Sequence, residues 1–180
     1  MIQTGVILAS SGEFRMNYNR LPDTNTEDKQ NGVGLRKIMT INEIQNEIIE
    51  NFELFDDWEG KYEYIIDLGK KLPDLAEEHK TDDNIIKGCQ SVVWLHSYEK
   101  DGLVYFEADS QAIIVKGLVS MLTKVLSGHK PEEILNADLY FIDRVGLASH
   151  LAQTRSNGLA AMVKQMKTYA LAFTSKEANS

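Results

Sequence analysis

Apolar residues begin to recur at helical spacing at Ile41, and Ile44, Ile48, Phe52 and Phe55 continue the same face. Thr40 and Glu43 stand in front as a capping-box pair, in which each side chain satisfies a backbone N–H at a helix start. A second helical run follows from about Asp57, with Trp58, Tyr62, Ile65, Ile66 and Leu72 on its apolar side, and Pro73 stops it. From Asp74 to Gly88 the chain is polar and charged, which predicts a short helix and a loop.

The period then changes. Ser91 to Tyr98 is rich in β-formers, Asp101-Gly102 is a type I′ turn signal, and Leu103 to Ala108 returns as a second strand. Asp109-Ser110 is placed to cap a helix that runs to about Leu126 and ends at Gly128. Pro131 opens a helical turn, since its missing N–H costs nothing there. Leu139 to Ile142 is a candidate third strand. Leu147 to Leu151 reads as helical, and Leu159, Met162, Val163, Met166, Ala170 and Phe173 fall on one face of a last helix. Helices on both sides of a compact antiparallel unit define an α+β fold.

Residues 1–38 show no sustained period and read as a mobile extension ahead of a domain covering 39–176. Met39 directly precedes the first patterned element, so the extension reads more readily as a translation-start or expression artefact than as a docking tail.

With 180 residues, 43% of them hydrophobic and 26% charged, the chain suits one soluble domain with a sizeable core. The net charge of −8 disfavours nucleic acid and anionic membrane surfaces as partners, because both reward a basic surface. No apolar run approaches the ~20 residues that span a bilayer. A single cysteine can form neither an intramolecular disulfide nor a thiolate-rich structural zinc site, so a reducing, cytoplasmic location is expected.

That cysteine, Cys89, lies in Lys87-Gly88-Cys89-Gln90-Ser91 at a loop–strand junction. Gly88 lets the loop present the thiol, and Lys87 could favour its reactive thiolate form. A buried, inert cysteine fits the same spacing, and both readings stay open. His79, His96, His129 and His150 could serve a cysteine–histidine hydrolase only if one lies beside Cys89, and their spacing shows no metal-ligand cluster. Arg155, just before the last helix, could hold an anion, with Ser156 or Asn157 as the helix cap. Asp109 reads as a cap by default. No phosphate-binding glycine loop occurs.

The stretch from Asn84 to Leu95, centred on Gly88-Cys89-Gln90-Ser91, resembles the cysteine loop and first strand of the SufE family. Three further blocks agree in order: Trp58 to Gly69, Ala108-Asp109-Ser110 with Ile114 to Leu118, and Arg155-Ser156-Asn157-Gly158-Leu159. The resemblance covers about residues 40–173. It implies helices packed on a three-stranded antiparallel sheet, as in IscU-like scaffolds. It implies a sulfur acceptor that takes persulfide sulfur on Cys89 from a pyridoxal-phosphate (PLP) cysteine desulfurase of the SufS type, stimulates that enzyme, and passes sulfur to a SufBCD-type cluster scaffold. Such a chain is a sulfurtransferase-like carrier rather than a stand-alone enzyme. The PLP stays on the desulfurase, so no cofactor or metal is expected here. A partner of the CsdA type, a noncatalytic adaptor role and a homodimer are compatible with the same resemblance. One cysteine argues against cluster scaffolding. By the same resemblance, Gly88 and Gln90 belong to a loop that shelters Cys89 and swings out on docking, Arg155 lies near the cysteine pocket, and Asp109 lies near the docking face.

Overall fold

The computed structural model describes residues 39–177; the extension expected over 1–38 lies outside them. Helix α1, Ile41–Glu53, opens on the capping box. The Glu43 N–H donates to Thr40 Oγ1 at 3.2 Å, and the Thr40 N–H donates to Glu43 Oε2 at 2.9 Å. Helix α2, Trp58–Lys71, starts at Asp57, whose carboxylate accepts from the Gly60 N–H at 2.8 Å. Between Pro73 and Gly88 the chain makes two 3-10 turns, Glu77–His79 and Asp82–Asn84, in place of one short helix.

Strands β1, Val93–Lys100, and β2, Leu103–Ser110, form an antiparallel hairpin. Asp101 and Gly102 both have positive φ, 55° and 73°, as a type I′ turn requires. Val93 and Leu95 of β1, and Val104, Phe106 and Ala108 of β2, turn one face into the core. Both strands are blunted by single bridges, Ile85 to Trp94 and Val104 to His129.

Helix α3, Ile113–Leu126, runs under the hairpin and is buried nearly all round, through Val115, Leu118, Val119, Met121, Leu122, Val125 and Leu126. It meets α2 glycine to glycine. A Cβ on Gly117 would lie 2.1 Å from the Ile65 carbonyl oxygen, and one on Gly69 would lie 2.8 Å from the Gly117 nitrogen. Short helices α4, Pro131–Asn136, α5, Phe141–Arg144, and α6, Leu147–His150, lead to the long α7, Gln153–Glu177, which buries Leu159, Met162, Met166 and Ala170.

Four sequence expectations are corrected. The described residues hold a two-stranded sheet, not the three-stranded one. The candidate third strand, 139–142, is a turn entering α5, because Gln45 of α1 claims its backbone. The Gln45 amide donates to the Asp138 carbonyl at 3.0 Å and accepts from the Phe141 N–H at 3.2 Å, which leaves no ladder to join. Asp109 and Ser110 do not cap α3: they end β2, opposite Trp94 and Val93, and α3 starts beyond them without a side-chain cap. Ser156 and Asn157 do not cap the last helix either. It begins at Gln153, with the Ala152 carbonyl accepting from the Arg155 and Ser156 N–H groups, so Arg155 sits inside its first turn.

Candidate functional site around Cys89

The loop carrying Cys89 is closed at its base, where the Ile86 N–H donates to the Val93 carbonyl at 2.8 Å. Gly88 has φ of +96°, a conformation that a side chain would strain. That turn directs Cys89 onto the first turns of α7, where Sγ donates to the Gly158 carbonyl at 3.5 Å. A Cβ on Gly158 would lie 3.5 Å from Sγ, an ordinary van der Waals contact, so a longer side chain there would press on the cysteine.

Cys89, Gln90 and Arg155 line one cavity of about 260 Å³, together with Ile113 and Leu118 of α3 and Thr154, Gly158 and Met162. The cysteine is half-buried, and burial pushes its thiol up from the ordinary value. Lys87, expected to favour the thiolate, does not offset that burial, and neither does Arg155. The resting group is therefore a sheltered thiol. Among the described residues, no histidine lines the cavity or hydrogen-bonds Cys89, which removes the cysteine–histidine hydrolase reading. Sequence reasoning missed Ile113, 46% exposed at the rim, and the role of Gly158; an apolar residue opening a helix was the available signal for the first.

Asp109 is not brought to the cysteine cavity. It lines a second, open cavity of about 500 Å³ with Glu77, Lys80, Trp94, Ser110, Gln111 and Lys116. Its carboxylate pairs with Lys116 at 2.9 Å and Lys80 at 3.1 Å and accepts from the Ser110 N–H at 2.8 Å. Burial alone would raise the Asp109 carboxyl, but those hydrogen bonds outweigh it and hold it below its usual range. A depressed folded value contributes stability that is complete above the unfolded pKa, about 4, and lost as pH falls through the folded value. Asp109→Asn is expected to cost about 2 kcal/mol at pH 7 in urea unfolding. The gap to wild type should close in the acid range below about pH 4.

The site is thus an α+β domain's one cysteine, half-buried on a loop that turns at Gly88 and held over a small cavity at a helix start. The comparisons with known proteins agree on its family. Residues 46–170 match the SufE family model, described as an Fe-S metabolism associated domain. A SufE-like protein of Rhizobium meliloti, described as uncharacterized, is 39% identical over 130 residues, covering 69% of this chain and 93% of its own. A second, from Rhizobium etli, is 42% identical over 127 residues, covering 68% and 86%. The chain belongs to the SufE family. The solution structure of a hypothetical protein from Thermus thermophilus shares the fold, with a TM-score of 0.61 at 20% identity, covering 72% of this chain and 94% of that one. Among the described residues, no helix is long and apolar enough to cross a membrane.

Proposed function

We propose that the chain is a sulfur acceptor in Fe–S metabolism: Cys89 takes sulfane sulfur as a persulfide from a PLP-dependent cysteine desulfurase of the SufS type, and the docked chain stimulates that enzyme. The observation that supports this most is the placement of the family's cysteine, half-buried over a cavity yet carried on a short hinged loop. The Cys89 thiol first gives up its proton to solvent. Its thiolate attacks the terminal sulfur of the donor persulfide, a new S–S bond forms on Cys89, the donor's S–S bond breaks, and the donor thiolate leaves with the electron pair. No net oxidation occurs. The PLP remains on the desulfurase. Cys89 then hands its terminal sulfur to a SufBCD-type scaffold by the same exchange.

Attack needs an exposed, deprotonated sulfur, whereas transit needs shelter from reductants. The buried rest position serves the second need, and docking that draws the loop outward serves the first. Gly158→Leu tests this directly, because its side chain displaces Cys89 from its seat. Moving the thiol into water lowers its pKa toward the ordinary value and raises the thiolate fraction. Alkylation by iodoacetamide at pH 7 is expected to quicken relative to wild type.

The test of the function is the intact mass of the chain after incubation with desulfurase and cysteine. A gain of one sulfur, lost on reduction, is the expected result. Desulfurase binding and stimulation without any adduct would instead make the chain a noncatalytic adaptor.

A further inference from the structure

Spacing along the chain gave no metal-ligand cluster, but folding assembles one. His79, from the first 3-10 turn, packs on His96 of β1 with ring centroids 3.7 Å apart and planes within 6°. Glu107 of β2 is the register partner of His96. One ligand atom from each of the three lies within 4.8 Å of the others. We propose that His79, His96 and Glu107 form a binding site for a divalent transition-metal ion of the zinc class, distinct from the cysteine cavity and assigned no role in sulfur transfer.

Two imidazole nitrogens and a carboxylate oxygen are a donor set that suits zinc, copper or nickel, while magnesium and calcium want oxygen alone. Zinc holds imidazole nitrogens at about 2.0–2.1 Å, so ligand atoms in a tetrahedral site stand about 3.3 Å apart. Closing from 4.8 Å is a side-chain adjustment, not a refolding. The parallel stack itself excludes the ion, because one metal cannot lie in two parallel ring planes. One ring must tilt, and His79 is the one placed to do so, on a turn with 29% of its side chain exposed. His96 is fixed in the sheet.

Charge favours uptake. Glu78 Oε1 is already 3.8 Å from His79 Nε2, so a second carboxylate stands ready as ligand or neighbour. Tyr98 flanks His96 on the strand, its ring 6.1 Å away. Tilting His79 opens the stack and moves its Nε2 relative to the exposed Glu78 carboxylate, which can follow it.

The test uses the full chain carrying Cys89→Ser, free of any polyhistidine tag, so that no thiol or tag competes. Zinc titrated by calorimetry should bind one ion per chain, and His96→Ala should weaken it at least about tenfold. Proton NMR of the Cys89→Ser chain should show the His79 and His96 ring signals moving together on zinc addition, as the stack opens, with those of His129 and His150 unmoved. Because that readout needs no further substitution, it holds even if His96→Ala fails to fold. Unmoved His79 and His96 signals at saturating zinc would overturn the site. So would undiminished affinity in a folded His79→Ala/His96→Ala chain.

Discussion

Cys89→Ser is expected to abolish both sulfur uptake and any persulfide-dependent stimulation of the desulfurase, while leaving the fold intact. Serine keeps the size and donor of the side chain but cannot form a persulfide, so the mass gain must vanish completely. Stability should change little. Among the described residues the thiol makes one long hydrogen bond, 3.5 Å to the Gly158 carbonyl, and the side chain is half-buried. Urea unfolding within about 1 kcal/mol of wild type is the expected result. An undiminished sulfur adduct in the serine chain would place the acceptor elsewhere.

Gly117→Ala is expected to do the reverse: large structural damage at a distance from the chemistry. A methyl there would sit 2.1 Å from the Ile65 carbonyl oxygen and 2.6 Å from Ile65 Cγ2. The first contact is with backbone, which cannot swing aside, so α2 and α3 must separate. Overpacking of this kind costs about 3 kcal/mol, the upper part of the usual range. Alanine's better helix propensity, about 1 kcal/mol over glycine, offsets only part of that. Denaturant unfolding should show a net loss of about 2 kcal/mol or more. Gly102→Ala, which meets nothing within 4 Å and strains only its turn, serves as the comparison and should cost less.

The parts of this molecule that were legible in sequence are those whose causes are local. The capping box of Thr40 and Glu43, the Asp101-Gly102 turn and the stop at Pro73 each depend on residues within four positions, and each is found where expected. The parts misread depend on remote partners. Leu139 to Ile142 has strand-forming residues, yet Gln45, more than ninety positions away, takes its backbone. Asp109 looks like a cap until Lys80 and Lys116 arrive from other elements. The helix containing Arg155 starts earlier than its Ser-Asn-Gly run suggests, with the Ala152 carbonyl accepting from the Arg155 and Ser156 N–H groups. The family was legible through the sequence blocks it shares with this chain. The thiol's sheltered, raised state was not, since it follows from burial that only the fold creates. The His79–His96 pair was invisible for the same reason as Gln45: only folding places a turn residue on a strand.

If Cys89 carries sulfur as proposed, the closed rung between Ile86 and Val93 sets a limit on how far that sulfur can travel. Cys89 stands three residues from that rung on its nearer side. At the ~3.3–3.6 Å that an extended residue spans, its tether is about 10 Å long. The cysteine is thus a short-armed carrier rather than a swinging one. A donor must bring its own sulfur to within that radius, and any acceptor must do the same. On that reading, exchange at both ends depends on close docking.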